Sequence, residues 1–415
     1  MSELSKCFYE ATAGKTCRDL CHPEYASCWI SFVESARLLL PGSFKLYLPY
    51  LVIPAIIKGG GYTRKYWRDS ILGYCDLSFK TYVVAVCGLT FQCVFYKLFG
   101  ELKYYWVMFF PGLFSTILSP KMSKVHQRLQ GITYFNMMLE ALIKQTNLSL
   151  VVALRDSKLL GTLLFMIFNA RILDILQRVP VNHFWFAYPV KIKKGDVNSE
   201  DDSRVLGTIF PSAHKACSHE RSCDMHILDG FLKYSLTGFI IELARFFFNK
   251  FPVLMKEPRK FLPEARRSLS MQLMFFFGSY IGAYRLIGCL LCRHFGEDRP
   301  INNQIAGFLG GLPYLIYPKY QVLTLAFTKF IEVEWDYYFK TAKKIPGWMR
   351  QLDRLPYLRI VLILGIAYLY HTIVFYPHLS PSFNRKVINY CSGNRVERLR
   401  RRLTGWMLQN EWNKA

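Results

Sequence analysis

Hydrophobic positions in this chain are gathered into blocks. Uncharged runs extend from Thr81 to Tyr96, Tyr104 to Pro120, Ser268 to Tyr284, Ile301 to Pro318 and Ile360 to Pro377, each near the ~20 residues that cross a bilayer as a helix. Several are therefore predicted to span a membrane, and the fold class is all-α and polytopic. The first set of elements runs from Asp76 to Phe99, Tyr104 to Pro120, Gly131 to Gln145 (amphipathic at helical spacing) and Leu159 to Leu176. Before it, Phe44 to Ile57 is weakly apolar and interrupted by Lys45, Pro49 and Pro54, which predicts a short interfacial or kinked helix. A second set runs from Ile227 to Phe248, Ser268 to Cys292, Ile301 to Pro318, Tyr320 to Phe339 and Tyr357 to Tyr376.

These blocks divide the chain into a Cys-rich amino-terminal region (1–30), a first helical membrane region (31–190), a polar linker (191–226), a second helical membrane region (227–378) and a basic tail (379–415). The two helical regions read as repeats. KLFGE (Lys97 to Glu101) parallels RHFGE (Arg293 to Glu297), SPK (Ser119 to Lys121) parallels YPK (Tyr317 to Lys319), and Leu139-Glu140 falls where Ile331-Glu332 falls. Duplicated bundles are a common membrane architecture.

Composition sharpens this picture. Apolar residues are 52% of 415 and charged residues 20%, so a soluble enzyme is largely excluded. The net charge of +24 is carried by Lys and Arg beside and between the apolar runs, the placement expected of span flanks against anionic headgroups. The lipid bilayer is the expected partner, and no nucleic-acid-binding signature is present. Residues 1–28 lack an apolar signal region, so insertion is expected to use internal spans.

Candidate chemistry falls into three groups. Gly278 and Gly282 are spaced as GxxxG, and Gly307, Gly310 and Gly311 form a second small-residue face; such faces let helices approach closely in lipid. Glu140, Arg171 with Asp174, Glu242 with Arg245, Arg285, and Glu332 with Glu334 are ionisable residues within apolar helices, which either pair in seams or line a polar path. The third group is the cysteines and histidines. Cys7, Cys17, Cys21, His22 and Cys28 stand at the amino terminus, and His214, Cys217, His219, Cys223 and His226 in the linker. Two clusters distant in sequence that met in space could form one tetrahedral zinc site, with Cys7, His22, Cys28, Cys217, His219 and Cys223 as the pool of ligands; disulfides and free thiols are the other readings. No other cofactor is indicated.

Catalytic signatures are missing from the chain. Gly14-Lys15-Thr16 resembles the end of a phosphate loop, but Tyr9 occupies the place of its first glycine. No G-x-S-x-G or H-E-x-x-H occurs, and His371 reads as a core histidine. In the tail, Leu399, Leu403, Trp406 and Met407 form an apolar stripe beside Arg398, Arg401 and Arg402, which predicts a helix lying in a headgroup layer.

The residues CFYE (Cys7 to Glu10), His22-Pro23 with Cys28, Cys217-x-His219-x3-Cys223 followed by Gly230-Phe231, QIAGFLGGL (Gln304 to Leu312), YPK, FTKFIE and LSPSF (Leu379 to Phe383) together resemble the transmembrane protein 135 family. The carboxy-terminal half is also similar to small peroxisomal membrane proteins of the Tim translocase superfamily. The resemblance implies two Tim-like helical repeats in a non-enzymatic, multi-pass peroxisomal membrane protein, also associated with mitochondria, that acts in peroxisome organisation, mitochondrial dynamics and lipid homeostasis, with other organelle membrane proteins as partners. Cys17, Cys21 and the Arg-rich tail have no counterpart in that pattern. A transporter or translocation channel with a polar path between the repeats is the alternative expectation.

Overall fold

The computed structural model describes residues 3–58, 63–120, 123–179, 185–187, 217, 219, 222–257, 259 and 261–412. Among them there are helices and no strand. In chain order these are α1 (Glu3–Thr12), α2 (Cys17–Cys21), α3 (Cys28–Lys58), α4 (Arg64–Phe99), α5 (Tyr104–Leu118), α6 (Lys124–Gln145), α7 (Ser149–Asp156), α8 (Lys158–Arg178), α9 (Cys223–Lys256), α10 (Phe261–Ser268), α11 (Gln272–Phe295), α12 (Pro300–Gly310), α13 (Tyr320–Thr341), α14 (Gly347–Arg354), α15 (Tyr357–Phe375), α16 (Ser382–Ser392) and α17 (Arg395–Trp412). Most of the expected polar linker, including His214, and Lys121 of SPK lie outside the described residues.

Four described helices, α4, α8, α11 and α15, are long and apolar enough to cross a membrane. Two of the expected spans are shorter than their apolar runs suggested. α5 has 15 residues, or ~22 Å of helix against the ~30 Å of a hydrocarbon core. α12 stops after 11 residues and gives way to a 3-10 turn, Leu312–Ile316, that carries Pro313. In the other direction, the weak stretch at Phe44 to Ile57 is part of one continuous helix that begins at Cys28.

The chain forms two compact units, residues 1–145 with 353–415, and residues 146–352. In the first, α3 and α4 are an antiparallel hairpin: Tyr74 OH donates to Phe44 O at 2.9 Å and Tyr82 OH to Ala36 O at 2.9 Å, so the partner number falls as the α4 number rises. α5 and α6 follow, and α15 packs on both. In the second, α9 and α11 form the corresponding hairpin, α12 and α13 follow, and α8 packs on both. The hairpins end alike. Gly100 and Gly296 each take φ 72° and donate their N–H to Tyr96 O and Cys292 O, four residues back. A left-handed cap of this kind favours glycine, which accounts for the shared glycine of KLFGE and RHFGE.

The compact units run across the two sequence regions expected at 31–190 and 227–378. α8 follows α6 and α7 in the chain yet belongs to the second unit, and α15 follows α13 and α14 yet belongs to the first. Each half of the chain therefore supplies helices to the other half's bundle, α7 and α8 to the second unit and α15, α16 and α17 to the first.

The core of the first unit joins Phe8, Leu20, Tyr104, Met108, Phe375 and Leu399. α17 occupies the bounds expected from its stripe, but the stripe meets protein. Val396, Leu399 and Leu403 are no more than 2% exposed and face α1 and α2. Its arginines serve the same contact: Arg398 pairs with Glu24 at 2.6 Å, Arg402 donates to Leu20 O at 2.7 Å, and Arg395 stacks over Tyr25. A headgroup-layer helix is thus replaced by a docked one, because the amino-terminal helices offer an apolar surface and matching acceptors.

Candidate metal centres

Each unit gathers one group of thiols with an imidazole. In the first, Cys17 opens α2, His22 caps its end, Cys28 opens α3, and Cys93 lies near the end of α4. α2 is set by a capping box in which the Thr16 side chain accepts from Asp19 N and the Asp19 carboxylate accepts from Thr16 N. One ligand atom from each of Cys17, His22, Cys28 and Cys93 lies within 4.8 Å of every other. Cys17 Sγ is 3.7 Å from Cys28 Sγ and 3.9 Å from His22 Nε2. In the second unit the group is Cys217, His219, Cys223 and Cys289, again within 4.8 Å. Cys217 Sγ is 3.8 Å from Cys223 Sγ, and His219 Nε2 is 3.2 Å from Cys289 Sγ.

These edges test the competing readings. A disulfide needs an S–S distance of ~2.05 Å, and every cysteine of the chain is free. Zinc–thiolate bonds of ~2.3 Å at tetrahedral angles place sulfurs ~3.8 Å apart and a sulfur ~3.6 Å from an imidazole nitrogen. The observed sulfur edges of 3.7 and 3.8 Å fit the metal geometry, and the sulfur–nitrogen edges of 3.9 and 3.2 Å fall on either side of it.

Electrostatics single out one thiol in the first group. Hydrogen bonding with the Cys93 thiol, then with His22 and Cys28, holds the Cys17 thiol down at about 4, which favours the ligating thiolate form, while burial and the bond to Cys17 push Cys28 up. Hydrogen bonding with Cys289, and then burial, instead push Cys217 up to about 12; a bound cation would favour its thiolate. Arg293 supplies some positive charge, donating to Cys223 Sγ at 3.5 Å. A cavity of about 60 Å³ lined by His219, His226, Arg285, Cys289 and Cys292 adjoins this second group, and the His226 ring stacks on His219 with centroids 4.3 Å apart. Both groups have the donors to hold a metal such as zinc.

The pool expected to meet at one site is divided between two groups. His22 and Cys28 belong to the first, and Cys217, His219 and Cys223 to the second. Cys7 is in neither group; Cys17 takes the place expected for it. Cys93 and Cys289 were missed because they sit inside apolar helices, where a cysteine reads as a small hydrophobe. The signal available was position: each stands seven residues before the FGE glycine, at 93 before 100 and at 289 before 296.

The other predicted residues lie in helix contacts or ion pairs. Gly278 and Gly282 of α11 face Phe231 of α9, Gly307 of α12 and Gly311 at its carboxy-terminal cap face Ala170 and Met166 of α8, and Gly310 faces Tyr284 of α11. The two glycine faces thus serve mainly different partners rather than each other. Glu140 pairs with Lys144 at 2.6 Å and Glu332 with Lys329 at 2.6 Å. Arg171 bridges Asp174 at 2.8 Å and Glu334 of α13 at 2.5 Å, while Asp174 also takes Arg178 at 2.7 Å. Glu242 pairs with Arg245 at 2.8 Å, and Arg285 reaches Asp229 at 3.7 Å and His226 O. His371 is buried among Tyr104, Tyr105 and Phe375.

Helical, with apolar helices suited to a multi-pass membrane protein and two Cys/His groups, the chain matches no family model, and no solved structure matches it.

Proposed function

We propose that this chain is a non-enzymatic, multi-pass membrane protein of the transmembrane protein 135 type, built from two Tim-like helical repeats. Its place is the peroxisomal membrane, with the mitochondrial membrane as a second location, and its role is in peroxisome organisation, mitochondrial dynamics and lipid homeostasis. Zinc is the ion taken by the Cys/His groups, and other organelle membrane proteins are its partners.

The observation that carries this reading over a transporter is the pairing of charge. Glu140, Glu332, Arg171 and Arg285 each have an ionic partner within their own unit. Intramembrane charge that serves transport lines a wet cavity, whereas charge matched across or along helices serves packing. Arg171 with Glu334 also ties α8, a helix supplied by one half of the chain to the bundle of the other, to α13. A scaffold follows more naturally than a conduit.

Imaging of a tagged full chain against peroxisomal and mitochondrial markers, with alkaline extraction of the membranes, tests the proposal. Retention in the extracted membrane and overlap with the peroxisomal marker are expected. Release by alkali, or residence in an unrelated compartment, overturns it.

A further inference from the structure

The two Cys/His groups share an order and a register that a chance clustering would not produce. Each reads Cys, His, Cys, and then a distant Cys: 17, 22, 28 and 93 in the first, 217, 219, 223 and 289 in the second. From the third ligand to the fourth the spacing is 65 residues (28 to 93) and 66 residues (223 to 289). The third ligand is the first residue of a long helix both times, Cys28 of α3 and Cys223 of α9. The fourth stands on the return helix of the same hairpin, seven residues before its left-handed glycine cap.

That placement has a mechanical meaning. In the antiparallel pair α3–α4, the chain closes one end between Lys58 and Arg64, and Cys28 and Cys93 lie at the opposite, open end. In α9–α11, contacts run from Gly238 with Leu273, through Gly278 with Phe231, to Arg285 with His226 O, so Cys223 and Cys289 again lie at the open end. A metal held there clasps the end that the backbone leaves unjoined. It also ties down the short segment carrying the first two ligands, which in the first unit is α2, against which α17 packs.

We propose that the chain binds two zinc ions, one per helix hairpin, each in a closed Cys3His site that joins the start of the first long helix to the end of the second. The ligands are Cys17, His22, Cys28 and Cys93 in one site and Cys217, His219, Cys223 and Cys289 in the other. Three thiolates and an imidazole in a tetrahedron suit zinc, and four protein ligands leave no open position, which is the signature of a structural site. The inference rests on the reading that the Cys/His groups take zinc, and adds their number, their ligands and their role. It also decides between neighbours. The second group has spare donors in Cys292 and His226, but only Cys289 has the register of Cys93, so Cys292 is not a ligand.

The test is elemental analysis of the full chain purified in detergent from zinc-supplemented cells, with the variants Cys93→Ser, Cys289→Ser and Cys292→Ser. X-ray absorption on the unaltered chain accompanies it. Two zinc ions per chain are expected in the wild type and in C292S, and one in each of C93S and C289S. Absorption should show an average shell of three sulfurs at ~2.3 Å and one nitrogen at ~2.0 Å. Near-zero zinc in the wild type overturns the zinc reading itself. One zinc per chain, lost in both C93S and C289S, leaves zinc binding in place and overturns the two-site inference. Retention in C289S with loss in C292S overturns the register argument. Should a variant fail to accumulate, the wild-type stoichiometry and sulfur count still decide.

Discussion

Alanine at Gly307 and alanine at Gly282 should move stability in opposite directions. At 307 the new Cβ would stand 2.9 Å from Leu173 Cδ1, 3.1 Å from Ala170 Cα and 3.4 Å from Asn169 O. The leucine methyl can rotate away, but Ala170 Cα is backbone, so α12 and α8 must part by a few tenths of an ångström. Overpacking of this kind costs ~1–3 kcal/mol. Parting the helices also stretches the bond from Asn169 Nδ2 to Gly307 O. At 282 the nearest atoms are Phe231 Cδ2 at 3.4 Å and Phe231 Cβ at 3.5 Å, which is ordinary contact. Both substitutions gain ~1 kcal/mol of helix propensity, so the clash alone separates them. G307A should fall below wild type by up to ~2 kcal/mol, and G282A should equal or exceed it by up to ~1 kcal/mol. The assay is thermal melting of the tagged full chain in one detergent, read by fluorescence-detected size exclusion. Equal melting of the two variants, or a lower midpoint for G282A, would refute the packing argument.

Further outcomes follow from other contacts. Asn169 is fully buried, and its Oδ1 accepts from Trp185 Nε1 and Tyr280 OH; Asn169→Ala should cost ~1–3 kcal/mol in the same melting assay, and an unchanged midpoint would mean the network is replaced by water. Leu399→Ala should cost ~2–5 kcal/mol at the α17 contact and expose both the amino-terminal segment and the tail to limited proteolysis, whereas high salt alone should leave the wild type protected; salt-induced cleavage would restore the headgroup reading of the tail. Because α8 and α15 are exchanged between the halves, co-expressed fragments 1–200 and 201–415 should purify together through a tag on either one, and independent purification would contradict the exchange.

What the sequence determined by itself was local. Helix position follows from runs and periods within one segment, so α8, α13, α15 and α17 lie within a few residues of where their patterns placed them. Ion pairs three or four residues apart, such as Arg171 with Asp174 and Glu242 with Arg245, were legible for the same reason. The tertiary structure decided everything that depends on which surfaces meet. An apolar stripe states that a helix must be covered, not by what, so the stripe of α17 could equally have met lipid or the α1–α2 segment. Arg171 finds Glu334 only because α8 crosses to the other half's bundle. The Cys/His groups show the division most plainly. Their first three members are close in sequence and stand out in polar segments, while Cys93 and Cys289 are separated from them by 65 and 66 residues (28 to 93 and 223 to 289) inside apolar helices. Thiol ligation needs sulfurs within ~4 Å of one another, and that distance is set by the antiparallel return of each hairpin, a long-range contact that no local pattern encodes.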